Sequence, residues 1–215
     1  LDGKGCMAAS DVSFFSVGLR VAGELLTADN WKAGDPPRPG ILVLAGYSGN
    51  AKVDCAHMMR RLCSEGWFVF SFYYRGFGDS EGQRGRHRPL EQAQNAYDAL
   101  SYMQTVDGID PERLGLYGTS FGGANGVWVT AHDERVKCLV TSVAVTNGER
   151  WMRLIRRPWE WWAFKDRVME DARRRVRTGE PGMVPKEEIM LRDPDTARQR
   201  AIQAQQGHTF HDAEL

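Results

Sequence analysis

Eleven residues in mid-chain, Arg-Leu-Gly-Leu-Tyr-Gly-Thr-Ser-Phe-Gly-Gly from Arg113 to Gly123, restrict the possible folds more than any other stretch. Leu114 to Tyr117 suit a buried strand, and Ser120 follows between Gly118 and Gly122 in the pattern Gly-x-Ser-x-Gly. In that pattern the serine occupies a strained turn between strand and helix, and side chains at the two glycine positions would collide with neighbouring backbone. Taken alone the pattern is also that of a glycine-rich turn with a capping serine. The strand before it and the helix-compatible run Ala124 to Ala131 after it are the surroundings that a nucleophile elbow requires. A dinucleotide-binding loop is disfavoured, because Gly118, Gly122 and Gly123 do not spell Gly-x-Gly-x-x-Gly. Ser120 is therefore expected to be a nucleophile. The backbone N–H of Phe121, at the positive end of the following helix, is expected to be one donor to an oxyanion.

The chain before the elbow alternates strands and helices. Asp11 to Ser16 and Leu19 to Thr27 read as an antiparallel hairpin turning at Gly18. Proline-rich residues 35 to 40 form a loop, and Ile41 to Ala45 are wholly apolar, as a parallel strand buried on both faces would be. Gly46-Tyr47-Ser48-Gly49-Asn50 comes next, either a plain turn or the source of a second oxyanion amide, with Tyr47 best placed to supply it. A helix is expected over Asp54 to Glu65, its stripe of Cys55, Met58, Met59, Leu62 and Cys63 facing the core and Gly66 closing it. Trp67 to Phe72 is a further apolar strand, and Tyr73 to Gly82 a turn-rich loop in which Asp79 and Glu81 are expected to cap the turn and tie down Arg75 or local amides. A helix from Pro89 to about Thr105 precedes the elbow strand, and Val136 to Val145 makes one more strand after the elbow helix. This alternation predicts an α/β fold with a mostly parallel, doubly wound sheet.

From Asn147 the character changes. Residues 149 to 200 hold 14 basic and 10 acidic residues, with Trp151, Trp159, Trp161, Trp162 and Phe164 near their start. A helical cap over 147–205 is expected. The tryptophans are either its own core or, for Trp151, Trp159 and Trp162, the lining of an apolar substrate pocket.

Lysine plus arginine equals aspartate plus glutamate at 28 each, so the net charge gives no footprint for nucleic acid or an anionic membrane. There is no apolar run of about 18 residues and no secretory segment, and Cys6, Cys55, Cys63 and Cys138 lack metal-ligand or Cys-x-x-Cys spacing. A soluble cytoplasmic protein without metal or cofactor is the expectation. Residues 1 to 6 look like upstream sequence, with Met7 a natural start, and are expected to lie outside the fold.

With the elbow, the loop after the first parallel strand and Tyr74-Arg75-Gly76-Phe77-Gly78-Asp79-Ser80 in hand, the chain resembles the serine α/β-hydrolase superfamily over residues 11 to 145. Ile109-Asp110-Pro111-Glu112-Arg113 through Gly-Thr-Ser-Phe-Gly-Gly is most similar to its dienelactone-hydrolase and X-Pro-peptidase-like esterase branch. The resemblance implies an α/β-hydrolase core over 11–146, a helical cap over 147–205, Ser120 as nucleophile, and Phe121 and Tyr47 as the oxyanion hole. It implies no cofactor and a small-molecule ester or acyl substrate. It also implies a later aspartate and histidine. Gly207-His208-Thr209-Phe210-His211 is similar to the loop that holds the histidine, which makes His208 the candidate base and 206–215 a remnant of the core. About 60 residues that should carry two strands and the acid are expected between the cap and this loop, so an internal deletion is suggested. Glu149, Asp195 and Asp212 are the conceivable replacement acids. The functional expectation is a serine hydrolase of esters or related acyl bonds; the alternative is a catalytically incomplete chain that binds ligands or partners.

Overall fold

The computed structural model describes residues 6–28, 30–47, 49–191, 195, 198, 202, 205, 213 and 214. Two compact units divide the chain, one of Leu1–Gln83 with Arg88–Thr146 and one of Arg84–His87 with Asn147–Leu215.

The first unit is built on a six-stranded sheet in the order β1-β2-β4-β3-β5-β6. Strands β1 (Cys6–Ser16) and β2 (Leu19–Ala28) form the antiparallel hairpin at one edge. Strand β1 begins at Cys6, which pairs with Ala28, so the expectation that residues 1 to 6 stand wholly outside the fold is corrected at its last residue. The pairing continues to Cys6 across a register shift between Cys6 and Ala8. Side chains alternate as the pleat requires: Phe14 is buried and Phe15 is 71% exposed. Phe14 meets Phe70 and Phe72 edge-on and stacks on Tyr102.

Val17 and Gly18 both have positive φ, 50° and 77°, the left-handed pair that a two-residue hairpin of this twist needs. A β-branched residue is poorly suited to that conformation, at a cost of about 1 kcal/mol, and Val17 is exposed, so it gains nothing from the core. Val17→Asn is expected to stabilise the protein by about 0.5–1 kcal/mol and raise Tm by about 2–4 °C. A thermal melt that leaves Tm unchanged or lowers it contradicts this reading of the turn.

Strands β3 (Arg38–Leu44), β4 (Phe68–Phe72), β5 (Ile109–Thr119) and β6 (Val136–Ser142) run parallel. Every residue of β4 is buried, and β3 is buried from Gly40 onward, which explains why their sequences are apolar there apart from Ser71. The chain passes from β3 through α1 (Ala51–Asp54) and α2 (Ala56–Ser64) to β4, then through α3 (Pro89–Met103) to β5, and through α4 (Phe121–His132) to β6. The first crossover runs one way along the sheet and the next two run the other way. Right-handed crossovers of opposite direction place their helices on opposite faces, so α2 covers one face and α3 and α4 the other. The sheet is therefore mostly parallel and doubly wound, with the core between it and these helices.

Several expected elements differ in extent: β3 begins at Arg38, inside the loop expected over residues 35 to 40, and β5 begins at Ile109, ahead of Leu114. The helix expected over Asp54 to Glu65 is interrupted at buried Cys55, whose φ of −117° leaves the helical range. The strand expected over Val136 to Val145 stops at Ser142, because Val143 turns to a φ of 49°. Cys55 and Cys63 are core residues, as the helical stripe predicts. Burial pushes the Cys55 thiol up to about 11, and Cys63 is disulfide-bonded, a pairing that the scattered spacing did not signal.

The connection from α4 to β6 is tied to α3. The Asp133 carboxylate accepts from Arg135 Nη2 at 2.6 Å and Nε at 2.9 Å, and Arg135 Nη1 reaches Ser101 Oγ at 2.9 Å and Gln104 Oε1 at 3.1 Å. The Arg135 hydrogen bonds hold the Asp133 carboxyl below the usual carboxylate range. A carboxyl with a depressed folded pKa adds stability above its unfolded value, about 3.9, and that stability is lost as pH falls through the folded value. Arg135 is partly solvated, so Asp133→Asn is expected to cost only about 1 kcal/mol at neutral pH. Its deficit relative to the parent should close below about pH 4 in denaturant melts; a deficit independent of pH contradicts the assignment.

In the second unit, α5 (Gly148–Leu154) is capped by Asn147, whose Oδ1 accepts from Arg150 N at 2.8 Å. Helix α6 (Pro158–Thr178) starts on a proline, with Glu160 Oε2 accepting the Arg157 amide at 2.8 Å, and ends at left-handed Gly179. Trp161 is buried beside Phe164, the Arg156 guanidinium lies 4.1 Å from the Phe164 ring, and Arg156 also binds the carbonyls of Glu188 and Ile189 around α7 (Lys186–Ile189). Buried Asp171 accepts from Arg174 Nη2 at 2.5 Å and Gly182 N at 2.7 Å. These bonds fold the chain back beside α6 before β7 (Met183–Val184), which pairs with β8 (Ala213–Glu214).

Candidate active site

The strand order creates a switch point. The connection from β3 leads to β4 on one side, while β5 lies on the other side of β3, so the loops leaving the carboxyl ends of β3 and β5 diverge and leave a crevice between them. Leu44 is in register with Gly118, which places Ala45-Gly46-Tyr47 beside Thr119-Ser120. A side chain on Gly46 would begin 3.4 Å from Ser120 Cβ.

Ser120 itself has φ 52° and ψ −117°, outside the wells that ordinary residues occupy. Such a conformation costs about 1–3 kcal/mol and persists only where the surroundings enforce it. Here the backbone is held on both sides: Ser120 N donates to Ser142 O at 2.8 Å, and Ser120 O accepts from Val145 N at 3.1 Å and Ala124 N at 3.3 Å. The kink at Val143 lies between the two partners on the β6 side, so a second left-handed residue faces the first. Among the described residues none hydrogen-bonds the Ser120 hydroxyl.

The glycines that define the motif are fixed by close approach. A Cβ on Gly118 would lie 2.5 Å from Gly122 O, and one on Gly122 would lie 2.2 Å from Ala45 O and 2.3 Å from Leu44 O. Gly123 faces Ala144 Cβ at 2.9 Å. Strand, elbow and helix are packed backbone to backbone. The arrangement has a cost, since three glycines in the first turns of α4 forfeit roughly 3 kcal/mol of helix propensity relative to alanine.

Phe121 opens α4, and Tyr47 sits across the crevice with the two rings edge-to-face at 6.2 Å. Helix α4 turns its amino end, with its amides and partial positive charge, toward the serine. Burial raises the Tyr47 hydroxyl far above its ordinary pKa, so it stays neutral. The fold thus brings together Ser120, Phe121 and Tyr47, three of the residues expected from the sequence.

His208 and Asp212 lie outside the described residues. Glu149 is exposed at the start of α5 and pairs with Lys165 at 3.4 Å, and Asp195 is exposed. In the second unit Trp159 and Trp162 are 66% and 60% exposed and Trp151 is half-buried, whereas Trp161 is the buried one. His132 ends α4, about 18 Å along the helix from Ser120, donates from Nδ1 to Trp128 O at 2.8 Å and stacks on Trp128. Asp79 and Glu81 do not hold Arg75. Glu81 Oε2 accepts the Arg20 amide at 2.7 Å and the Asp79 carbonyl accepts Arg20 Nη2 at 3.1 Å, while Arg75 binds Glu91 O at 2.9 Å. The loop after β4 is pinned to β2 because that strand runs alongside it, a neighbour that local sequence does not reveal. Among the described residues no group of three or more His, Cys, Asp or Glu could hold a metal ion, and no helix is long and apolar enough to cross a membrane.

Sequence reasoning missed the backbone clamp of Ser142 and Val145 and the buried Asn125 on α4. Nothing in the sequence marks the former; the latter is the polar residue within the otherwise apolar first turns of the elbow helix.

Comparison with known proteins agrees with this architecture. The family model described as serine aminopeptidase, S33, matches residues 35–212. An uncharacterised 31.7 kDa protein of the traX-finO intergenic region of Escherichia coli is 34% identical over 116 residues, 54% of this chain and 41% of that protein. The quorum-quenching protein AidA of Acinetobacter baumannii is 32% identical over 111 residues, 51% of this chain and 36% of AidA. The crystal structure of the α/β hydrolase GrgF from a Penicillium species superposes with a TM-score of 0.74 at 19% identity, over 97% of this chain and 70% of that one, a likeness of fold. The aligned part spans about 40% of the length of these curated relatives. With its elbow at the switch point and a family match over most of its length, the chain belongs to the serine aminopeptidase S33 family of α/β hydrolases.

Proposed function

We propose that this protein is a serine acyl hydrolase that cleaves a carboxylic ester or related acyl bond of a small molecule through an acyl-enzyme. The observation that carries the reading is the enforced left-handed conformation of Ser120 at the mouth of the crevice, with Gly46 leaving the space beside it open. In the proposed reaction Ser120 Oγ attacks the carbonyl carbon while His208 accepts the hydroxyl proton. The N–H groups of Phe121 and Tyr47 stabilise the oxyanion. The tetrahedral intermediate collapses, the leaving alcohol takes the proton, and water then attacks the acyl-enzyme to release the acid. His208 is assigned by resemblance alone, and the acid that orients it is not assigned. The proposed chemistry draws on no metal or cofactor.

The test is turnover of p-nitrophenyl esters and of an S-acyl thioester by the purified protein, with and without a chelator. A burst of phenolate followed by steady turnover, unchanged by chelator, is expected. Turnover that is lost to the chelator and restored by a divalent cation contradicts the reading, and complete inertness toward every acyl substrate favours a binding protein.

A further inference from the structure

Helix α4 is intrinsically weak where it presents Ser120, because Gly122, Gly123 and Gly126 all fall within its first six residues. None of the three can be exchanged for a better helix former without disturbing a neighbour; even at Gly126 a Cβ would lie 3.0 Å from Leu139 Cδ1. Something other than propensity must hold these turns.

Asn125 stands in the same stretch and is 3% exposed. A buried amide is unfavourable unless it is hydrogen-bonded, and its Nδ2 donates to Tyr74 Oη at 3.2 Å and to Gln92 Oε1 at 3.0 Å. Both acceptors are buried as well. Tyr74 lies on the segment leaving β4 and Gln92 in the first turn of α3, and these two supports are tied to each other. Arg75 N donates to Asn95 Oδ1 at 3.2 Å and Arg75 Nη2 to Glu91 O at 2.9 Å. Asn95 Nδ2 continues to Ser16 Oγ at 2.7 Å, and Ser16 to Asp98 Oδ2, which anchors the frame to the end of β1. A leucine shares the branched shape of Asn125 but has no donor, so it would join neither support.

We propose that Asn125 is a positioning residue for the acyl-transfer site, fixing the first turns of α4 so that Ser120 Oγ and the Phe121 N–H remain aligned on one carbonyl. The inference rests on the assignment of Ser120 as nucleophile. Asn125 touches neither the substrate nor the reacting atoms and acts through the helix. A misplacement of about 1 Å can cost about 10²-fold in rate, so loosening this turn should appear in kcat more than in KM.

The test compares Asn125→Leu, which keeps the branched shape and removes both donors, with Tyr74→Phe, which removes one acceptor. In the intact chain, well below each melting point, kcat and KM for a p-nitrophenyl ester are measured per folded molecule, and amide hydrogen exchange is followed along α4, β3 and β5. Asn125→Leu is expected to lower kcat about 10²-fold and Tyr74→Phe about tenfold, with KM within about threefold of the parent. Exchange is expected to speed up at 120–126 and not in β3 or β5. Unchanged kcat per folded molecule, whatever the melting point, overturns the proposal, as does acceleration spread evenly over the sheet. If Asn125→Leu does not fold, Tyr74→Phe decides, since it leaves the bond to Gln92 intact. A parent protein inert toward esters would sink the Ser120 assignment instead, and the exchange pattern alone would then decide whether Asn125 holds the helix.

Discussion

Ser120→Ala is expected to lower kcat for an activated ester by about 10⁴-fold or more, equivalent to about 5.5 kcal/mol of transition-state stabilisation, with little change in KM or Tm. The change removes one oxygen and nothing that holds the fold. The backbone bonds to Ser142, Val145 and Ala124 stay, and alanine meets about the same left-handed strain as serine. No described residue loses a hydrogen-bond partner when the hydroxyl goes. The combination expected, a catalytic collapse without a stability change, is one that a merely structural serine could not give. Melts and steady-state kinetics on the same preparation check both halves. A variant that keeps more than about a tenth of parental kcat would remove Ser120 from the chemistry.

Gly122→Ala is expected to be damaging for the opposite reason, through the fold. Alanine is the best helix former, and at an open helical position it would gain about 1 kcal/mol over glycine. At this site the new methyl would lie 2.2 Å from the Ala45 carbonyl oxygen and 2.3 Å from that of Leu44. Both atoms are backbone, at the buried end of β3, so they cannot rotate away as a side chain would. Either α4 lifts from the sheet or β3 shifts, and overpacking of this severity costs about 3 kcal/mol or more. The steric term therefore outweighs the propensity term. Chemical denaturation is expected to show a midpoint well below the parent, and esterase activity per folded molecule is expected to fall about 10²-fold, because the lift displaces Ser120 from Gly46 and Tyr47. A Gly122→Ala variant as stable as the parent would show that the close approach of α4 to β3 is not a constraint.

The fold was legible where burial or backbone strain leaves little choice of residue. The short apolar runs at Ile41 to Ala45 and Trp67 to Phe72, bounded by turn residues, read as strands covered on both faces, and the glycines around Ser120 are demanded by contacts shorter than any Cβ tolerates. Element ends were less legible, since they depend on tertiary partners. Val143 ends β6 one residue after the carbonyl that holds Ser120, and no local signal distinguishes it from Val140 or Val145. The break at Cys55 likewise carries no local signal, since the apolar stripe runs through it.

The site divides in the same way. The juxtaposition of Ser120, Phe121 and Tyr47 was readable because they lie within a few residues of strand ends that adjoin in the sheet. Partners that arrive from distant sequence were not. Asn125 is the polar residue within the otherwise apolar first turns of α4, but its acceptors Tyr74 and Gln92 are 51 and 33 residues away. Glu81 was assigned to its own turn and instead binds Arg20 across 61 residues. Cys63 gave no spacing that announced its disulfide.

The central claim is that Ser120 attacks a carbonyl, and its most direct measurement is the site of covalent capture. The protein is treated with a fluorophosphonate, digested and mapped by mass spectrometry. The account predicts one adduct per chain, on the peptide containing Ser120, abolished by Ser120→Ala and by prior denaturation. An adduct on any other residue, or ester turnover that continues while Ser120 stays unlabelled, would contradict it.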